Sequence, residues 1–497
     1  MEEPLDKAGE KCAVFGVYAK GADVSRIAFF GLFALQHRGQ ESSGIASSNG
    51  TKICSHKGMG LVNEIFTKEA IESMQGHIAI GHNRYSTSKN STVDHAQPIL
   101  FHQEHICTVA EDTARCITDD KYSIALAHNG NLPSTALLEN FLRENGKDVG
   151  DCSDSHMIVK AIEVWIKRGA TIEGAIKNVW PLMSGSFSIT LMTHNKLIAI
   201  RDKFGIRPLS MGRLGEGYVF ASETCALPPI GATFEREVLP GEMIVVDENG
   251  MKSFQIEEPD QKLDIFELFY FARHESDMLG RSIYEVRKNF GKILFEEFPI
   301  KADVVIPVPE TSVPAAIGYS HASGIPYELG LNKNRYVQRT FIQPDQKMRE
   351  NAVKMKLHPI PDVIAGKSVV VIDDSIVRGT TSKQVVKMLF DAGAREVHFL
   401  VSSPPIRFPD FYGIDIPNQK DLIAFEKTEE EIRQYLGATS LHYLTLDGAI
   451  KATGLPKSSF NTSCFTGEYP LDIHERAQEF MHPAPEEVLV ETVKVVG

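Results

Sequence analysis

The chain has 497 residues, 42% of them hydrophobic and 24% charged, with a formal net charge of -13. That length gives room for two to four domains with cores of their own, and no run reaches the roughly 18 apolar residues of a membrane-spanning helix. The negative balance excludes a general nucleic-acid binder, so any phosphate has to be held by local basic groups and backbone donors.

The leader MEEPLDKAGEK carries four carboxylates, two lysines and no apolar core, which excludes a secretory signal. It is either a frayed approach to a first strand or a propeptide whose removal leaves Cys12 of CAVFGVY as residue one. After Asp23, a candidate N-cap, Val24, Ile27, Ala28, Gly31, Leu32 and Leu35 recur at helical spacing, and this helix delivers QHRGQESSGIA at its end. Strand-like GHIAIGHNRYST, SIALAHNGNL and FSITLMTHNKLIAIRD follow. Their mixed order predicts two packed sheets sandwiched by helices. Seven cysteines, at 12, 54, 107, 116, 152, 225 and 464, form no C-x-x-C pair and predict reduced thiols in a cytoplasmic protein. His102, His105, Cys107 and Cys116 lie close in sequence but fit no zinc spacing, so a polar surface excursion is the expected reading. The apolar pattern lapses in VVDENGMKSFQIEEPDQKLD, which predicts a linker over 247–264.

Beyond it, ADVVIPVP, SVVVIDD and EVHFLVSS alternate with helical segments, the pattern of an α/β domain with a parallel sheet. In KSVVVIDDSIVRGTTSKQVVKMLFDAGAREV, a buried strand from Ser368 to Ile372 ends in Asp373 and Asp374. A Gly/Thr/Ser loop and a helix with Val385, Val386 and Leu389 on one face come next, stopping near Gly393. Backbone N–H groups at Gly379 to Ser382, with the hydroxyls of Thr380, Thr381 and Ser382, suit a phosphate at a helix N-terminus. Asp373 and Asp374 suit a vicinal diol or Mg2+ beside it. Together they predict a phosphoribose site, and the missing G-x-x-x-x-G-K-[ST] excludes a nucleotide P-loop.

VVVIDDSIVRGTTS resembles the phosphoribosyl diphosphate (PRPP) motif of type I phosphoribosyltransferases. CAVFG, LQHRGQESSGI, GHNRYST, AHNGNL and SDS resemble the glutaminase domain of N-terminal-nucleophile (Ntn) amidotransferases. With RDKFGIRPL, FASETCAL, YFARHES, IPVPETS, RTFIQP and CFTGEYP between and after, the whole from Cys12 to about residue 470 resembles the glutamine PRPP amidotransferase family.

The resemblance implies a propeptide at 1–11, an αββα glutaminase domain at 12–246, a phosphoribosyltransferase domain at 265–470 and a tail at 471–497. It implies conversion of glutamine, PRPP and water to 5-phosphoribosylamine, glutamate and diphosphate, at the start of purine synthesis. Cys12 is then the nucleophile, activated by its own α-amine, which an internal residue lacks. Asn129 and Gly130 form the oxyanion hole, worth about 3 kcal/mol per donor. Arg84 clamps the glutamine carboxylate, Arg38 supports the glutamine site and Asp154 holds the α-ammonium. Arg378 and Gly379 to Ser382 take PRPP together with Arg339 and Lys356, which lie in a closing loop at 335–357 with six basic and two acidic side chains. Asp373, Asp374 and a hydroxyl of PETS, Ser312 or its neighbour Thr311, take Mg2+. Purine nucleotides as inhibitors and a homotetramer are implied as well.

The family's pattern is broken at several positions. One branch holds a [4Fe-4S] cluster on four cysteines, where this chain has Asp264, Asp410, Asn461 and Cys464, so no iron is expected. Gln338 replaces a glycine, His156 replaces the glutamate of SDSE, and an insertion spans about 103–120, none with an evident role. Two other readings are weighed: a non-catalytic sensor of PRPP or nucleotides, which would not need the nucleophile and oxyanion residues, and an Ntn amidotransferase with another acceptor, which would not need DDSIVRGTTS.

Overall fold

The computed structural model describes residues 12–85, 93–102, 105–106, 115–118, 123–150, 152–334, 355–414, 416 and 418–479. The leader, Cys107 and most of the 335–357 loop, with Gln338 and Arg339, lie outside the described residues.

The first half is built on strands β1 Ala13–Tyr18, β2 Ser42–Ser48, β3 Lys52–Met59, β4 Ile78–Arg84, β5 Ile99–His102, β6 His105–Ile106, β7 Arg115–Thr118 and β8 Ile124–Ser134. There follow β9 Ser184–Met192, β10 Leu197–Arg201, β11 Ser210–Leu214, β12 Gly217–Ala221, β13 Thr233–Glu237, β14 Glu242–Asp247 and β15 Gly250–Gln255. They form two sheets, in the orders β13-β11-β12-β1-β4-β2-β3-β7 and β15-β14-β10-β9-β8-β5-β6. Strand β1 shows why they stack. All six of its residues are buried, with Val14 and Tyr18 facing the second sheet and Ala13, Phe15 and Val17 facing the helix Val24–Ala34. Asp23 caps that helix by accepting from the Arg26 N–H. A Cβ at Gly31 would come within 2.3 Å of the Phe15 ring, so the helix can lie this close only with glycine there. Helices Ala136–Glu144, Asp154–Lys167 and Ile172–Val179 cover the far face of the second sheet through Leu138, Ile158, Ile162 and Ile176. The arrangement is the expected αββα sandwich.

In the second half, Val304–Pro307, Ser368–Asp373, Glu396–Val401 and Ser440–Tyr443 form a parallel sheet in that order. Its strands are apolar on both faces because helices Ile283–Glu297 and Val313–Ser323 cover one and Thr380–Asp391 and Glu429–Leu436 the other.

Two sequence expectations need correction. Cys54 and Cys116 are not reduced thiols: they face each other across the antiparallel β3–β7 pair with Cα atoms 4.0 Å apart and are joined by a disulfide. That bond fastens the insertion, whose described parts extend the second sheet through β6 and the first through β7. It also takes Cys116 out of any metal site, while His102 Nδ1 is engaged by Ser123 Oγ at 2.8 Å. The linker expected over 247–264 begins inside a sheet, because Gly250–Gln255 is the mostly exposed edge strand β15, paired along β14. Its polar composition comes from an edge, not from a connection. At the other end Leu263–Asp264 already pairs with Phe460–Asn461 of the second half.

The halves are joined by a buried charge network. The Arg38 guanidinium hydrogen-bonds Glu223 and, from the second half, Glu267, which also pairs with Arg207 at 2.9 Å. All four side chains are at most 1% exposed. The two carboxylates raise the Arg38 pKa despite burial, and the Glu223 carboxyl, though penalised by burial, is held well below its ordinary range by Arg38 and His37. Removing one partner strands a buried charge at a cost of about 3–5 kcal/mol. Glu267→Ala is therefore expected to lower folding stability by that order in urea unfolding; a loss under about 1 kcal/mol would show that water replaces the carboxylate.

Candidate active site

Cys12 leads directly into β1, beside the end of β4, where Ala13 pairs with Asn83. Its sulfur is part-buried, 3.9 Å from the Tyr85 carbonyl. The Val14 N–H donates to Ser222 Oγ at 2.9 Å, and Asn129 Nδ2 lies 3.5 Å from the same hydroxyl. Ser222 thus brings the nucleophile's strand, in one sheet, to the oxyanion candidate, on β8 of the other. His82 on β4 makes a second tie, with Nε2 donating to the His128 carbonyl at 3.0 Å. Asn129 Oδ1 has no partner among the described residues and Arg84 Nη1 has none either, though both are buried. The Arg84 nitrogen is a buried donor held ready for a ligand, whereas Asn129 Oδ1 is an acceptor and the donor Asn129 can offer an oxyanion is Nδ2. Gly130 is required sterically, since a Cβ there would meet the Ser186 carbonyl oxygen at 2.1 Å.

Asp154 opens the helix Asp154–Lys167 and lies against β8: its Oδ2 is 3.6 Å from His128 Nδ1 and 3.4 Å from the Leu132 N–H. It lines a cavity of about 500 Å3 together with Thr135, Glu139, Arg143 and Cys152. His156 completes the cap of this helix, the Ser153 N–H donating to His156 Nδ1 at 3.2 Å while His156 N–H donates back to Ser153 Oγ at 3.4 Å. A neutral imidazole does here what the glutamate of a capping box does. S-x-x-H ahead of an apolar run was the signal that could have revealed it.

Arg38 is the exception among the expected glutamine residues. Its guanidinium is consumed by Glu223 and Glu267, so it braces the domain junction and offers nothing to a substrate. Arg84, by contrast, keeps a nitrogen to offer. Ser186, inside β9, and Ser222, just after β12, carry no spacing signal in the sequence.

In the second half, strand Ser368–Asp373 delivers Asp373 and Asp374 to the carboxyl edge of the sheet, each 1% exposed. Ser375 Oγ donates to Asp374 Oδ1 at 2.8 Å and the Asp374 N–H to Asp373 Oδ1 at 2.9 Å. Gly379 adopts φ +79°, and a Cβ on it would come within 2.8 Å of Ile423 Cδ1, so only glycine makes this turn into helix Thr380–Asp391. Among the described residues no side chain caps that helix at Gly379, and Thr380, Thr381 and Ser382 make up its first turn. Arg378 precedes the turn, half-buried. Ser312 stands at the same sheet edge, after Val304–Pro307, and its buried Oγ has no partner among the described residues. Two carboxylates and a hydroxyl are an oxygen donor set of the kind that, with substrate phosphates, suits Mg2+. Lys356 lies at the foot of the 335–357 loop, next to Leu357–Pro359, which pairs with Leu331–Lys333.

Asp264, Asp410 and Cys464 also converge: burial first and each other's charge second push the Asp264 carboxyl and the Cys464 thiol well above their ordinary values. Asn461 pairs with Asp264 in register. One sulfur, two carboxyls and an amide do not fit a cluster that takes four thiolates.

Comparison with known proteins gives a glutamine amidotransferase domain at residues 96–229 and a phosphoribosyl transferase domain at 276–403. The amidophosphoribosyltransferase of Synechococcus elongatus is 45% identical over 96% of this chain and 94% of that one. The structure of glutamine PRPP amidotransferase from Bacillus subtilis, complexed with ADP and GMP, is 43% identical and superposes with a TM-score of 0.85 over 93% of this chain and 98% of that one. A structure described as the allosteric regulatory enzyme of purine biosynthesis matches with the same identity and TM-score, over 93% and 97%.

The buried imidazoles make the site acid-sensitive. Burial lowers His82 to about 3 and His156 to about 4, so both are neutral in the fold. The unfolded chain binds their protons from pH about 6.5 downward, so stability is lost as pH falls through that value. Asp202, which burial raises to about 6, acts in the opposite sense, losing stability as pH rises from about 4 to 6. His82→Asn should flatten the fall in unfolding free energy between pH 7 and 5; an unchanged slope would show that His82 is not kept neutral.

Proposed function

This chain belongs to the amidophosphoribosyltransferase family, and from that premise we propose how its residues move nitrogen from glutamine to PRPP to give 5-phosphoribosylamine, the opening reaction of purine synthesis. The observation that carries the reading is the Ser222 hydroxyl, which holds the strand behind Cys12 and the Asn129 side-chain amide at one point.

In this reading residues 1–11 are removed and the amine of Cys12 takes the thiol proton. The sulfur bonds to the side-chain amide carbon of glutamine, and the developing oxyanion meets Asn129 Nδ2 and the Gly130 N–H. The C–N bond breaks with the proton delivered to departing ammonia, and water cleaves the thioester to glutamate. Arg84 takes the substrate carboxylate through the nitrogen that has no partner among the described residues, as a guanidinium fork suits. Asp154 takes the α-ammonium.

In the transferase half, spanning about 265–470, the first turn of helix Thr380–Asp391 and Arg378 hold the 5-phosphate, and Asp373 and Asp374 orient the ribose. Asp373, Asp374 and Ser312 are the residues that would hold Mg2+, which when bound neutralises charge on the leaving diphosphate. Arg339 and Lys356 bring positive charge to the same diphosphate when the loop closes. Closure excludes water and keeps ammonia from escaping. No iron–sulfur cluster takes part, because its four positions supply a single sulfur. Purine nucleotides are inhibitors in this reading, in keeping with the B. subtilis complex.

Cys12→Ala is expected to abolish synthesis from glutamine while leaving synthesis from ammonia within about twofold, measured as PRPP-dependent diphosphate release. Loss of both in a folded variant would show that the sites are not chemically separate. Intact-mass measurement of active enzyme should show a chain starting at Cys12; full activity with the leader retained overturns the amine's role.

A further inference from the structure

Ser186, on β9, is fully buried and touches both sides of the oxyanion glycine. Its carbonyl oxygen occupies the space a Cβ on Gly130 would need, at 2.1 Å, and lies 3.4 Å from His128 Nε2. Its hydroxyl accepts from the Asn131 N–H at 3.3 Å, which fixes the plane of the Gly130–Asn131 peptide, and donates to the carbonyl of Tyr412 in the second half. A hydroxyl has one proton, so donating it to Tyr412 orients the lone pairs toward Asn131.

The Tyr412 carbonyl is itself held. Tyr412 and Ile414 N–H groups donate to Asp410 Oδ1 at 2.9 and 2.7 Å, and the Tyr412 hydroxyl donates to the Leu471 carbonyl at 2.8 Å. Phe411 O accepts from Asn131 Nδ2 at 2.7 Å, and Gly413 lies so close that a Cβ on it would meet the Gly130 carbonyl carbon and Cα at 3.1 and 3.2 Å. The oxyanion segment is thus clamped between β9 and a turn of the transferase half.

We propose that Ser186 is a positioning residue for amide hydrolysis: with the Tyr412 carbonyl as its anchor, it sets the orientation of the Gly130 backbone that meets the oxyanion. The inference rests on the reading of Cys12 as the glutaminase nucleophile. The donor itself, the Gly130 N–H, lies in the Asn129–Gly130 peptide on the other side of the same Cα, and its direction is set because Gly130 is pressed against the Ser186 carbonyl while the peptide after it is held by the Ser186 hydroxyl. The donor matters only once the amide oxygen carries charge, so a rotation about Gly130 costs turnover and not glutamine binding.

The test compares Ser186→Ala and Ser186→Thr in the full-length, processed enzyme. Three quantities are read: kcat and KM for glutamine hydrolysis, PRPP turnover with ammonia, and affinity for glutamate γ-semialdehyde against glutamate. The Cys12 thiol adds across the aldehyde, forming a C–S bond and passing charge to the former carbonyl oxygen, so this probe reports the oxyanion site directly. For Ser186→Ala the expectation is a fall in kcat of about tenfold or more with KM within about twofold, and an equal fall in aldehyde affinity with glutamate affinity unchanged. Ammonia-driven turnover should hold, and threonine, which keeps the hydroxyl, should recover most of kcat. Should the serine variants fail to fold, Asn131→Ala removes the neighbouring tie to Phe411 and is expected to show the same kcat-only signature. An unchanged kcat, or a loss of KM and ammonia turnover in step with kcat, overturns the inference. Absence of glutamine hydrolysis in the unaltered enzyme overturns the underlying reading instead, and the inference with it.

Discussion

Glu223 organises the molecule. Its buried carboxylate accepts from His37 Nε2, from Arg38, and from the Arg273 N–H and Ser276 Oγ across the junction, at 3.0 and 2.6 Å for the last two. Taking such a charge from water costs several kcal/mol, recovered only when every donor is in place. The residue before it, Ser222, joins Cys12's strand to Asn129. Two consecutive residues after β12 therefore set both the geometry of the thiol site and its attachment to the transferase half, and a displacement of one is felt by the other.

What could be read from the sequence was what is local. The D-D pair, the glycine turn and the apolar face of Thr380–Asp391 follow from spacing alone, because a strand, a tight turn and a helix each leave a period or a required residue behind. Asp23 as a cap is of the same kind. What escaped depends on partners far along the chain. Arg38 in its motif reads as a support of the glutamine site until Glu267, 229 residues away, is seen to hold it. Cys54 and Cys116 are 62 residues apart, and only the register of β3 with β7 sets them face to face. β15 reads as a connection in the sequence because an exposed edge strand needs little apolar composition.

The positions where this chain departs from its family behave differently from one another. His156 keeps the geometry of the residue it replaces, since an unprotonated imidazole nitrogen accepts the same N–H a glutamate would. Asp264, Asp410 and Asn461 do not preserve a metal-binding donor set, yet the site they form still shapes the fold. Asp410 holds the turn that reaches Gly130, and Asp264 Oδ1 accepts from the Phe266 N–H at 3.0 Å, three residues before Phe269 in the core of the second half.

The contact of Phe411, Tyr412 and Gly413 with the Gly130 segment bears on modular engineering. A glutaminase half grafted from a distant homologue onto this transferase would meet a backbone surface shaped for a bare Cα at Gly130, an amide at Asn131 and a hydroxyl at Ser186. Chimeras cut at the connecting segment alone would sever that fit. The natural unit of exchange is the half together with the five-residue turn that presses on it, residues 410–414.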